Sequence, residues 1–127
     1  VEISVDDKKR IKIHRVVVAA DIGPVIDMAG AEAQAQGASV DGFSTAMGLR
    51  ITIEKGRIQQ KNFNDYPMVR LAECPEIEVH LLEVGGTVGD GGEPGVPPLA
   101  PAVTNAIFAA TGVGIRKILI KNHALKV

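Results

Sequence analysis

Apolar and polar residues alternate from the first position, Val1-Glu-Ile-Ser-Val5, which predicts a strand with one buried face. Asp6-Asp-Lys-Lys9 supplies a polar turn, and Arg10 to Ala20 returns as the second arm of a hairpin. The return alternates at Ile11 and Ile13. It then becomes continuous at Val16-Val-Val-Ala-Ala20, the pattern of a strand buried on both faces. Asp21-Ile-Gly-Pro24 breaks it. From about Ala29 to Met47 the chain predicts an alanine-rich helix with Gly30, Gly37 and Gly42 inside. Glycine costs a helix about 1 kcal/mol relative to alanine, so three of them imply close approach by a neighbouring backbone or a ligand. A second hairpin is expected from Leu49 to Ile53 and Arg57 to Asn62, around Glu54-Lys-Gly56. Asn64 to Pro75 is a turn-rich connection, and Glu76 to Leu82 alternates as another strand.

The pattern then changes character. Gly85 to Val103 holds six of the chain's 14 glycines and four of its seven prolines, with Glu93 between Gly92 and Pro94. Glycine admits positive φ and close approach, and proline fixes φ and removes a donor, so this is a shaped loop. The helix expected after it, Leu99 to Thr111, has no polar face. Its prolines suit the entry and Gly112 the exit. At about a dozen residues it is too short for a bilayer, which needs roughly 20. The expectation is burial on every side, with Glu93 entering the interior just ahead of the helix. Two readings of Glu93 stand at this point: a catalytic carboxylate, or a solvated acid in a glycine-rich turn.

Composition narrows the classes. A length of 127 residues fits one domain, 46% hydrophobic content fits a folded one, and the formal net charge is −1. Aromatics make up 3% and no basic patch appears, which argues against nucleic acid as a partner. Cys74 is the only cysteine, so no internal disulfide forms, and no Cys/His cluster has zinc spacing. No signal peptide or membrane segment is evident. The glycine loop lacks the Lys-Ser or Lys-Thr pair of a P-loop. The helix after it is not the amphipathic one of a dinucleotide-binding unit. Asp90 and Glu93 are conceivable as a carboxylate pair for glycoside chemistry, but three residues apart on an irregular loop fixes no distance, so the signal is weak. Gln34 and Gln36, on the alanine-glycine helix, read either as ligand contacts or as solvated glutamines. His14, His80 and His123 read as surface residues, and Tyr66 reads either as part of a turn or as a pocket lining. A chain that opens inside a strand and carries an all-apolar helix reads as the tail of something larger, completed by another polypeptide.

One stretch is specific. Gly92-Glu-Pro-Gly-Val-Pro-Pro-Leu-Ala-Pro-Ala-Val-Thr-Asn-Ala-Ile-Phe-Ala-Ala-Thr-Gly112 closely resembles the C-terminal motif of molybdenum-binding subunits in the xanthine oxidase family, of the isoquinoline oxidoreductase and aldehyde dehydrogenase type. The resemblance extends to the opening hairpin, Ala33-Gln-Ala-Gln-Gly37, Gly56 to Phe63 and Pro75 to His80, almost the whole chain. It implies an α+β fold, antiparallel hairpins packed with two buried helices. Residues 1–127 would be the C-terminal portion of a molybdenum-cofactor-binding domain completed by another chain.

What the resemblance implies chemically is hydroxylation of an aldehyde or N-heterocycle with water as the oxygen source. Glu93 maps onto the catalytic base and Gln34 onto a residue that approaches the cofactor. The cofactor would be molybdopterin in its cytosine dinucleotide form, shared with a larger molybdenum-binding chain. Electrons would leave through [2Fe-2S] clusters on a small partner subunit, then to a flavoprotein or cytochrome. No protein side chain is expected as a metal ligand. Cytoplasm and bacterial periplasm both stay open. Two departures stand out: Asp90-Gly91-Gly92 replaces the family's hydrophobic residue between glycines, and Asp27-Met28 replaces its Asn-Pro. Two other classes compete, a non-catalytic assembly or structural subunit and an independent small-ligand binding domain.

Overall fold

The computed structural model describes residues 1–123. Strand β1 (Glu2–Val5) pairs antiparallel with β2 (Ile11–Asp21), giving the expected first hairpin. Its turn is tied by Asp6, whose carboxylate accepts from the backbone N–H groups of Lys8 and Arg10 at 2.9 Å each. Glu2 lies opposite Arg15 but Ile3 opposite Ile13, so His14 is an extra residue in β2. Such a bulge turns the strand by one position. The inward residues therefore run Ile11, Ile13 and then Val16, all buried.

Helix α1 (Met28–Met47) follows, with Asp27 at its N-cap accepting from Gly30 N–H at 3.2 Å. An aspartate there satisfies a donor that the helix itself leaves open. Buried residues on α1 include Ala35, Ala38, Ser39, Gly42, Phe43, Ala46 and Met47. Their spacing of three and four makes one continuous stripe. The second hairpin shrinks to β3 (Ile53–Glu54) and β4 (Arg57–Ile58), and none of its residues is buried. Strand β5 (Glu76–Leu82) matches its sequence expectation and lies parallel to β2, Arg15 beside Glu76 through Asp21 beside Leu82. The sheet order is β1-β2-β5. Helix α2 (Val96–Thr111) starts one turn earlier than its apolar run suggests. It ends on Gly112 at φ 72, whose N–H donates to the Phe108 carbonyl at 2.7 Å.

The core joins β2, α1 and α2: Ile11, Ile13, Val16, Phe43, Ala46, Met47, Leu99, Val103 and Ile107, with Ile115 and Ile120 closing it. Both helices thus serve one face of the sheet, and this corrects two expectations. Within this chain β2 is not buried on both faces, because Val17 and Ala19 point to the open side. Nor is α2 buried all round. Only Leu99, Val103 and Ile107 are buried, a stripe at every fourth residue, while Phe108, Ala109 and Ala110 are exposed. On the open face Arg15 forms an ion pair with Glu78, which also meets His80 Nε2 at 2.6 Å. The Arg15 guanidinium, then His80, holds the Glu78 carboxyl below the usual carboxylate range.

Candidate functional site

Because β2 and β5 run parallel, both end at the same edge of the sheet, and the loops leaving them meet there. Ligands of sheets with parallel strands tend to bind outside the carboxyl ends of the strands. The two loops are knitted together by backbone. Gly89 N–H donates to the Ile22 carbonyl at 2.8 Å. Gly23, at φ 71, brings its bare Cα so close to Thr87 that an added Cβ would stand 2.2 Å from the Thr87 carbonyl oxygen. Only glycine satisfies both demands. Asp21 accepts from Gly23 N–H at 3.0 Å, and Glu83 from Val25 N–H at 3.3 Å.

The glycine loop then runs along α1. A methyl group on Gly91 would lie 3.3 Å from Gln34 Oε1, and one on Gly95 would lie 2.9 Å from Ala38 Cβ. On Gly42 it would meet the Val96 carbonyl oxygen at 2.8 Å. Gln34, Ala38 and Gly42 are four residues apart, successive positions on one ridge of the helix. The loop therefore lies in register with that ridge, and Glu93 sits between its two anchor points, Gly91 and Gly95. Asp90 shapes the approach by accepting from Gly92 N–H at 2.9 Å, a local turn. The Glu93 carbonyl accepts from Val96 N–H, closing a short 3-10 turn over Glu93–Gly95.

The two predicted site residues are thus brought to one region, though not into the interior. Glu93 and Gln34 are both exposed within this chain. The expectation that Glu93 enters the core is corrected: its loop is anchored on α1 at Gly91 and Gly95, but Glu93 itself is exposed among the described residues. Gln34 helps to line a shallow cleft of about 210 Å³ with Ile22, Asp27, Gly30, Val88 and Gly91, while Glu93 lies outside that lining. Gln36 is on another face, beside Gly37, Val40 and Cys74. Gly37 departs from expectation as well, since nothing comes within 4 Å of a Cβ built there. Sequence reasoning missed Asp27 as the helix cap and the Gly23–Thr87 contact. Gly23-Pro24 ending a strand was the available signal for the second.

The cleft at this edge offers the Gln34 carboxamide and the Asp27 carboxylate, with Gly30, Gly89 and Gly91 keeping its lining free of side chains. Among the described residues no group of three or more His, Cys, Asp or Glu could hold a metal ion. Such a surface suits a metal carried by an organic cofactor, which bare backbone lets approach and an amide can hydrogen-bond.

The chain is similar to several known proteins. The model of the molybdopterin cofactor-binding domain matches residues 1–75, a stretch that includes Gln34. Isoquinoline 1-oxidoreductase subunit beta of Brevundimonas diminuta is 34% identical over 108 residues, 85% of this chain and 14% of the relative. A membrane-bound aldehyde dehydrogenase (pyrroloquinoline-quinone) of Gluconacetobacter polyoxogenes is 33% identical over 108 residues, again 85% of this chain and 14% of that protein. The crystal structure of quinoline 2-oxidoreductase from Pseudomonas putida 86 superposes with a TM-score of 0.77 at 20% identity, over 93% of this chain and 16% of the other. This chain therefore spans 14% of the length of these two curated relatives. By the match of its first 75 residues and its identity to these longer proteins, the chain belongs to the molybdopterin cofactor-binding domain family of xanthine-oxidase-type oxidoreductases.

Proposed function

We propose that residues 1–127 are the C-terminal part of the cofactor domain in a molybdenum hydroxylase catalytic subunit, active when a larger chain completes the domain. The observation that carries this reading is the shared ridge of α1, on which Gln34 and the loop of Glu93 are held side by side at the carboxyl edge of β2 and β5. The substrate is an aldehyde or an N-heterocycle, and water is the oxygen source. The cofactor, molybdopterin in the cytosine dinucleotide form, supplies the two-electron oxidation when bound. Electrons pass to [2Fe-2S] clusters on a small partner and onward to a flavoprotein or cytochrome.

The chain's own residues position and move protons. Gln34 offers a carboxamide that both donates and accepts, fit for the polar edge of the cofactor. Glu93 takes up the proton released as water's oxygen passes to substrate. Its short 3-10 turn, fixed by Pro94 and the Gly95–Ala38 contact, limits where that carboxylate can point. The larger chain covers the exposed side of the loop and excludes bulk water from it.

Glu93→Gln tests the assignment, because it preserves shape and hydrogen bonding but cannot accept the proton. General-base assistance contributes about 10²–10⁴-fold, so substrate-driven reduction of the assembled enzyme falls by that factor while molybdenum and iron contents stay constant. Reduction at the wild-type rate removes Glu93 from the mechanism. Gln34→Ala lowers molybdenum occupancy or turnover, and Gln36→Ala does less. Equal and negligible effects of the two would return Gln34 to a solvated helix position.

A further inference from the structure

Residues 50–73 have the polarity of a folded domain turned inside out. Phe63 and Leu71 are 91% and 92% exposed, and Ile53, Ile58 and Met68 also face outward. Neither β3, β4 nor the 3-10 turns Phe63–Asp65 and Leu71–Glu73 bury a single residue within this chain. Yet the segment is shaped, and polar groups do the shaping. Gln60 accepts from Thr52 N–H at 2.7 Å and donates to the Thr52 hydroxyl at 3.0 Å. Asn62 accepts from Phe63 N–H at 2.9 Å, Asp65 from Lys61 N–H at 3.1 Å, and Glu73 from Arg70 N–H at 3.2 Å. Val69 N–H donates to the Ser44 hydroxyl at 3.0 Å, pinning the root of the segment to α1.

A passive linker needs neither feature. Polar side chains spent on local backbone, with large apolar ones held outward, describe a surface ordered before its partner arrives, which lowers the ordering cost of association. At its root lies a groove of about 470 Å³ whose lining includes Phe43, Met47, Met68, Ala72 and Cys74. What covers this surface follows from the lengths of the relatives. The fold aligns over 93% of this chain yet makes up only 16% of the superposed structure, and the family match over residues 1–75 contains the whole segment. In a protein of that size the remaining 84% of the chain, about five times the aligned part, is available to lie against it.

We infer that residues 50–73 form a docking arm that seats this chain on the larger molybdenum-binding chain, with Ile58, Phe63 and Leu71 as its apolar contacts. The inference rests on the proposed function, which requires that larger chain. It is tested by co-expressing the two and measuring association with Phe63→Asp and Leu71→Asp introduced together. Losing two large buried side chains weakens association by at least about 100-fold. The polar control Lys61→Ala in the same arm leaves it unchanged. Hydrogen exchange of the wild-type chain adds a readout independent of any variant, with amides of residues 57–73 gaining protection on association. Equal association of the double variant, or no added protection there, overturns the arm and leaves the proposed function standing. A wild-type chain that never pairs with a molybdenum-binding chain overturns both. A concentration-dependent homodimer abolished by the same substitutions assigns the surface to a second copy and overturns the occupant named here.

Discussion

Two regions of this molecule handle apolar surface in opposite ways. Along the ridge of α1, small residues let the loop come close: the Val96 carbonyl oxygen lies against Gly42, and Gly95 lies against the Ala38 methyl group. In the 50–73 arm, large apolar side chains point outward and local hydrogen bonds hold the backbone. The first region is finished by contacts within the chain, so it can position Gln34 and the Glu93 loop. The second is finished only by an outside surface. A site and its completion are therefore carried by different chemistry, close packing for one and exposed apolar area for the other.

The comparison would break first at the loop. Glu93→Gln has the largest expected consequence, the loss of about 10²–10⁴-fold in reduction rate, although it alters no packing. Next comes a matched pair on α1. Gly42→Ala puts a methyl group 2.8 Å from the Val96 carbonyl oxygen, backbone that cannot swing away. Overpacking of this kind costs about 1–3 kcal/mol, so the unfolding midpoint of the assembled protein falls, and turnover falls with it as the loop shifts. Gly37→Ala is the same chemical change where nothing lies within 4 Å. There the helix gains up to about 1 kcal/mol, and the midpoint rises. A fall instead would show that another chain's backbone lies against Gly37, extending the docked surface onto α1.

The smallest effect concerns the open sheet face. Arg15, and then His80, lower the Glu78 pKa in the folded state. A carboxyl lowered on folding contributes stability that is complete above its ordinary value of 4.5 and is lost as pH falls through the lower folded value. Glu78→Gln therefore flattens the acid limb of the stability profile by lowering its neutral plateau, and that loss is small because the pair is partly exposed and screened by solvent. A large loss at neutral pH would mean that this face, too, is covered in the assembly.

Much of the architecture was legible because it depends on local rules. Alternation at Val1 to Val5 and Glu76 to Leu82, the alanine run after Asp27, and Gly112 at a helix exit are each decided by neighbours a few positions away. The motif around Glu93 was equally readable, and its likeness to a known family led to the right one. Burial was not legible in the same way. Val16 to Ala20 and Leu99 to Thr111 are apolar on all sides, but a single layer of helices can cover only one face of a sheet. Val17, Ala19 and Phe108 are therefore open in this chain. The bulge at His14 also escaped the pattern, because an inserted residue is defined by the strand opposite and not by its own sequence.

Sequence by itself determined the chemical vocabulary: a carboxylate in a glycine-proline loop, an amide on a small-residue helix, and elements of the right type in the right order. Only the tertiary structure decided that β2 and β5 run parallel, which brings their two loops to one edge, and that the Glu93 loop lies in register with Gln34, Ala38 and Gly42. The reason is distance along the chain. Glu93 lies roughly 60 positions from Gln34, and no local preference spans that gap. It is closed by the close approach of bare glycine backbone to helix α1, a contact that exists only once both have folded.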